Sequence, residues 1–212
     1  MSSVFDPTEQ NKNIDAKIVA GLERISRVFR VLLWDMAKKE NLSPIQIQFL
    51  IYLLYNKPSR RNITSISEEF NLTKATVSDA ISSLEKKNLI KKDKDIGDKR
   101  SSIIKLTPKG KKVASQLSTW TDVLRNNLKK LNQREKETIL EFILKFIESL
   151  YDAGVITLQR MCFSCVYLKK DSSPHSNPTY YCNFLAKTLS ISELRLDCDD
   201  YEPITLGKND HT

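Results

Sequence analysis

Ser65-Ile66-Ser67-Glu68-Glu69-Phe70-Asn71-Leu72-Thr73-Lys74-Ala75-Thr76-Val77-Ser78-Asp79-Ala80-Ile81-Ser82-Ser83-Leu84-Glu85-Lys86-Lys87-Asn88 reads as two helices and a tight bend. The first helix covers about residues 65–70 and the second runs from Thr73 to about Lys87. Between them, Asn71-Leu72-Thr73 supplies an Asn for the bend and a Thr able to cap the second helix, as a helix–turn–helix needs. Val77, Ile81 and Leu84 recur at helical spacing and form the buried stripe of the second helix, and Asn88 can take the left-handed position that stops it. With that stripe inward, Ala75, Asp79, Ser82, Ser83 and Lys86 turn outward, with Thr76 and Ser78 at the edges.

Downstream the period becomes extended. Leu89–Lys94 and Ile103–Leu106 flank the polar tip Asp95–Ser101, which contains Gly97, so this segment predicts a β-hairpin, or wing, with basic flanks. Upstream, Ser43-Pro44-Ile45-Gln46 is a capping-box helix start, and the helix it opens, to about Tyr55, is apolar on most sides and so central to its domain. Residues 14–39 carry an apolar stripe, Ile14, Ile18, Leu22, Ile25, Phe29, Leu32 and Met36, which predicts one long amphipathic helix. After the hairpin one helix is expected from about Thr107 to Lys130, with Val113, Leu117, Trp120, Leu124, Leu128 and Leu131 on its stripe. A last long helix opens at Asn132-Gln133-Arg134-Glu135 and buries Ile139, Phe142, Ile143, Phe146 and Leu150, ending near Gly154 or near Met161. The fold class is mainly α with a small β-hairpin wing: residues 1–40 form an N-terminal helical segment, 41–110 a winged helix–turn–helix, 111–156 C-terminal helices, and 157–212 a cysteine-rich tail.

Across 212 residues Lys plus Arg is 34 and Asp plus Glu 26, a formal charge of +8. From Glu85 to Lys112 eleven basic residues face four acidic ones, 11 − 4 = +7, so the surplus sits on the hairpin and its flanks. Such a surplus suits an acidic partner, nucleic acid before all. Only 5 glycines are present, and they build neither GxGxxG nor GxxxxGK[ST]. Two histidines, His175 and His211, leave little for His-based catalysis, and paired acid–base candidates are lacking, so an iron–sulfur redox enzyme is the weakest reading and no enzyme is expected. No export signal or membrane span is legible, which leads to the expectation of a soluble, cytoplasmic protein with no membrane partner.

A charge run can be no more than a solvated face. Joined to a helix–turn–helix it becomes a design for duplex DNA. The second helix enters the major groove, where Ala75 can meet a thymine methyl, Asp79 can accept from a cytosine amino group, and Ser82 and Ser83 are permissive partners. Thr76, Ser78 and Lys86 flank them, while Lys94, Lys99 and Arg100 on the wing neutralise phosphates. Leu42-Ser43-Pro44-Ile45-Gln46 to Leu54, Ile66 to Leu72, Thr73–Ile90 and above all Asp98-Lys99-Arg100-Ser101-Ser102-Ile103-Ile104-Lys105-Leu106-Thr107-Pro108-Lys109-Gly110 resemble the MarR (multiple antibiotic resistance regulator) winged-helix family, whose D-x-R…LTxxG wing signature the last segment fits. The resemblance covers about residues 14–155. It implies a homodimer built by the N- and C-terminal helices, and Arg100 at the minor groove or backbone, oriented by Asp98; a dimer of winged helices should in turn read an inverted-repeat operator. At Asp79 and Ser83 the chain departs from the family, where basic residues are common.

All four cysteines lie in the tail, spaced Cys162-x2-Cys165-x16-Cys182-x15-Cys198, and in a reducing compartment they are metal ligands before disulfides. A CxxC turn puts two sulfurs on one centre, and two later thiolates complete four ligands. A [4Fe–4S] cluster accepts scattered ligands, and the spacing resembles that of high-potential iron–sulfur proteins. Phe163, Val166, Tyr167, Tyr180, Tyr181, Phe184 and Leu185 would surround it. Zinc on four thiolates is the alternative, although such sites often pair two CxxC turns eased by glycines, and no Gly lies between residues 154 and 207. His175 and the acidic run Asp197, Asp199 and Asp200 read as solvated loop residues. The expected function is a homodimeric DNA-binding transcription regulator, in the first instance a repressor, whose affinity depends on the state of the cysteine centre. The alternative is a regulator with a structural zinc tail and a small-molecule effector.

Overall fold

The computed structural model describes residues 3–94, 102–156, 160–171 and 179–204. Contacts group the chain into two units, one of Met1–Ser67 with Leu72–Asn126, the other of Glu68–Asn71 with Asn127–Thr212.

In the first unit a short α1 (Pro7–Lys12) precedes α2 (Ile14–Glu40), which Asn13 caps and Asn41 stops in the left-handed region at φ 52°. The α3 helix (Pro44–Tyr55) has the expected capping box: Ser43 Oγ accepts from the Gln46 N–H, and the Gln46 side chain accepts from the Ser43 N–H. Ile47, Phe49, Leu50 and Leu53 are all fully buried, so α3 is the axis of the domain. After a 3-10 turn (Pro58–Arg60) come α4 (Ile63–Glu69) and α5 (Lys74–Lys86), joined by Asn71 at φ 50° and capped by Thr73, whose Oγ1 accepts from the Thr76 N–H. Val77, Ile81 and Leu84 are fully buried, and Asn88 sits at φ 61°, as the sequence predicts. The hairpin pairs β1 (Ile90–Lys94) with β2 (Ser102–Leu106) in antiparallel register, Ile90 opposite Leu106 and Lys94 opposite Ser102.

The expected single helix over 107–130 is two, α6 (Pro108–Leu117) and α7 (Asp122–Leu128). Ser118 Oγ and Thr119 Oγ1 donate back to the carbonyls of Ser115 and Gln116, each at 2.8 Å. Such local bonds compete with the helical ladder and break the run there. The stripe read on α2 differs as well. Ile14, Ile18, Ile25 and Phe29 are exposed in the single chain, and burial falls on Ala16, Ala20, Leu33 and Ala37 instead.

In the second unit α8 (Gln133–Asp152) opens on the Asn132–Glu135 capping box, and the chain leaves it at Gly154, φ 71°, the earlier of the two expected ends. Ile139, Phe142 and Ile143, expected inside, are partly exposed, because the face of α8 that packs is the one carrying Leu144. Leu144 joins Met161, Cys162, Phe163, Tyr180, Leu189 and Leu194 in the core of this unit. Around that core stand a 3-10 turn (Cys162–Ser164) and an antiparallel sheet of β3 (Leu168–Asp171), β4 (Thr179–Cys182) and β5 (Lys187–Leu189), in that order. No helix among the described residues is long and apolar enough to cross a membrane.

Candidate nucleic-acid interface and cysteine site

The outward face of α5 carries Ala75, Thr76, Ser78, Asp79 and Lys86, all exposed. Ser82 and Ser83 are half-buried. Ser82 Oγ accepts from Lys92 Nζ at 3.5 Å, and that lysine also pairs with Glu85 at 3.0 Å, so the hairpin stem is tied to the second half of α5. Thr76 is committed as well, its hydroxyl lying 2.9 Å from Thr73 Oγ1. The predicted reading positions that are exposed and not drawn into these contacts are Ala75, Ser78 and Asp79 on the first turns, with Lys86 at the far end. On the stem, Asp93 takes Lys105 at 2.9 Å and Lys91 at 3.4 Å, and the Lys105 hydrogen bond holds its carboxyl below the usual range. Lys94 ends β1 as the hairpin leaves the stem. The predicted phosphate and minor-groove residues Asp98, Lys99 and Arg100 lie outside the described residues, as does His175.

The segment Leu106-Thr107-Pro108-Lys109-Gly110 has a physical role that its spacing alone does not reveal. Thr107 Oγ1 caps α6 through the Gly110 N–H at 3.0 Å and donates to the Asn88 carbonyl at 2.8 Å, while the Thr107 N–H donates to the Leu89 carbonyl. A Cβ on Gly110 would fall 1.7 Å from the Leu89 oxygen. This Thr and this Gly therefore lock the end of the hairpin against the end of α5.

In the second unit all four cysteines line one small cavity, together with Tyr167, Leu168, Phe184, Leu185, Leu189, Arg195 and Asp200. The CxxC turn is closed by the Cys165 N–H donating to the Cys162 carbonyl at 3.0 Å, Cys182 ends β4, and Cys198 sits on the loop after Arg195. All four are free thiols, Cys162 and Cys165 buried, the other two half-buried. Burial pushes the Cys162 thiol up, while the Arg195 N–H, 3.2 Å from its sulfur, pulls the other way. The Arg195 guanidinium donates to Cys198 Sγ at 3.4 Å. Among the described residues no three His, Cys, Asp or Glu side chains close on a point fit for one metal ion. The four cysteines are related only as lining residues of the one cavity.

Of the aromatic and apolar residues read as surroundings, Tyr167, Phe184 and Leu185 line this cavity, Phe163 and Tyr180 stack beneath it at 5.5 Å, and Val166 and Tyr181 face outward. The cavity also takes Leu168, Leu189, Arg195 and Asp200, which sequence spacing misses. An Arg three residues before a cysteine is the only signal that could have suggested Arg195. The acidic run near Cys198 is not simply solvated. Asp197 pairs with Arg160 at 2.8 Å, and Asp200 lies 3.7 Å from Arg195.

Residues 42–102 match the MarR family. The HTH-type transcriptional regulator SarZ of Staphylococcus epidermidis is 24% identical over 107 residues, 50% of this chain and 72% of that protein. Among solved structures, the S. aureus MepR–DNA complex superposes with TM-score 0.54 at 25% identity, covering 61% of this chain and 94% of that one. S. aureus MarR in complex with salicylate and kanamycin shares the fold with TM-score 0.58 at 18% identity, covering 69% and 99%. The match spans α3 through β1 and reaches the first residue of β2, and the curated relatives are named as transcriptional regulators. Over residues 42–102 the winged helix–turn–helix of this chain is similar to that of the MarR family.

Proposed function

We propose that the chain is a homodimeric DNA-binding transcription regulator, a repressor working in the cytoplasm, whose four cysteines hold a [4Fe–4S] cluster that adjusts its affinity for an inverted-repeat duplex. The observation that carries the DNA reading is the exposed first half of α5, with Ala75, Ser78 and Asp79 standing above a fully buried Val77–Ile81–Leu84 stripe, beside a lysine-rich hairpin. MepR, 25% identical, has been solved on DNA, which supports the same use here. The exposed apolar faces of α2 and α8 support a second copy as their cover.

The cluster reading rests on the donor set: four free thiols around one cavity with apolar and aromatic walls, and two N–H···S hydrogen bonds from Arg195 of the kind that stabilise cluster sulfurs. Thiolates arriving from one CxxC turn and two separate segments suit the larger cage of a polynuclear centre. When bound, the cluster would supply a centre that oxidation alters or destroys. The residues of the chain do the rest, Arg195 offsetting thiolate charge and Tyr167, Phe184 and Leu185 limiting water.

Two measurements test this. In gel shifts over several salt concentrations on a duplex selected from a random pool, Arg100→Ala should weaken binding by about 1–3 kcal/mol and make the salt slope shallower. Protein purified without oxygen should be brown with about four iron atoms per chain, and Cys182→Ser should bleach it. Colourless protein with one zinc per chain would replace the cluster by a zinc staple.

A further inference from the structure

Glu68–Asn71, the last turn of α4 and the bend after it, belong to the C-terminal unit. Inside that unit Arg160 grips two carboxylates with one guanidinium: Nη2 donates to Glu69 Oε2 at 2.7 Å and Nε to Asp197 Oδ1 at 2.8 Å. The Arg160 side chain is 14% exposed, against 30% for Glu69 and 54% for Asp197, so the Glu69 bond is the more sheltered of the two charge-assisted bonds. The backbone repeats the connection, because the Cys198 N–H donates to the Arg160 carbonyl at 2.8 Å and Arg160 bridges Asp197 in parallel. At one end of this clamp stands the neighbour of a cavity cysteine. At the other stands Glu69, from which the chain passes Phe70 and left-handed Asn71 to Thr73, the cap of α5.

We propose that Arg160 is the positioning residue through which the cysteine site acts on the bend of the helix–turn–helix. The inference rests on the reading that the cysteines hold a centre whose state changes DNA affinity. With Cys198 ligated, residues 197–198 are fixed, Asp197 holds Arg160, and Arg160 holds Glu69 and the start of the bend. Release of Cys198 loosens the segment carrying Asp197 and weakens its hold on the guanidinium, which slackens the link. Coupling of two sites requires an element with two discrete arrangements that each site biases, and a shared guanidinium meets that requirement in its simplest form.

The test compares cluster-loaded and cluster-free full-length protein on a duplex selected by the wild type, for wild type, Glu69→Gln and Asp197→Asn. Wild type should show roughly a 5- to 150-fold ratio of affinities between the two states, the usual range for coupled sites. Each variant should stay brown with wild-type iron content and still bind DNA, yet its ratio should collapse to about twofold or less. Hydrogen exchange of the amides at residues 70–73 should differ between the two states in wild type and coincide in both variants. A variant retaining the wild-type ratio would overturn the role of Arg160 while leaving the switch intact. A wild type with no ratio would overturn the switch itself, and this inference with it. Asp197→Asn leaves the α4 end untouched, so a folding defect confined to Glu69→Gln would still leave the second variant to decide.

Discussion

Gly110 shows how a family signature becomes steric necessity. A methyl group there would need to occupy the place of the Leu89 carbonyl oxygen, 1.7 Å away, and backbone cannot yield as a flexible side chain can. Gly110→Ala should destabilise the protein by about 1–3 kcal/mol as an overpacked position, lowering the unfolding midpoint by roughly 3–10 °C, read by calorimetry. An unchanged midpoint would mean that α6 does not approach Leu89 so closely. The sequence makes this glycine legible as a motif, but its reason lies in a contact across 21 positions that no local pattern encodes. The same limit explains Arg160 and Arg195. Their partners, Glu69, Asp197, Cys162 and Cys198, are brought together by the fold, and one-dimensional spacing links only the last pair. By contrast Thr73, Asn88 and Ser43 act within three or four residues of themselves, and their capping and stopping roles are readable directly.

Element by element, legibility follows length and locality. Helices with caps at fixed offsets, α3, α5 and α8, begin where the sequence places them, because capping chemistry is local. The tail strands hold only four, four and three residues, too few for a period-two pattern. The turn after β5 is fixed by electrostatics. Glu193 accepts from Lys187 Nζ at 2.9 Å and from the N–H and hydroxyl of Ser190, and these bonds, the Lys187 one first, hold its carboxyl down at about 2. Since the folded value lies below the ordinary 4.5, the contribution of this carboxylate to folding is complete above about pH 4.5 and fades as pH falls through 2. Carbon-detected NMR titration should find Glu193 still ionised at about pH 3, and Lys187→Ala should bring its midpoint back toward the ordinary value. A wild-type midpoint at 4.5 would mean that the turn leading to Arg195 and Cys198 is not braced this way.

At the scale of the whole molecule the unanswered demand is apolar. On α2, Ile14, Ile18, Ile25 and Phe29 stand 71%, 39%, 52% and 41% exposed, and on α8 Ile139, Phe142 and Ile143 are each more than a third exposed. A 27-residue helix with this stripe open to water is a poor end state for a single chain, since each large apolar side chain brought under cover is worth about 1.5–3 kcal/mol. A second copy would supply the same stripe in return, as a two-fold axis requires, and two copies would present two α5 helices to successive major grooves. Light scattering should therefore give twice the 24.4 kDa chain mass, and footprinting should reveal an inverted repeat with half-site centres about 10 base pairs apart. Ile25→Glu puts a charge into the stripe without touching the described core, because Ile25 is not among its buried residues. The variant should keep its helical circular dichroism, fall to the monomer mass and lose protection of the paired half-sites together. A wild type that is monomeric at micromolar concentration and protects one isolated half-site would show that the stripe serves some other cover, and that DNA is read by one α5 at a time.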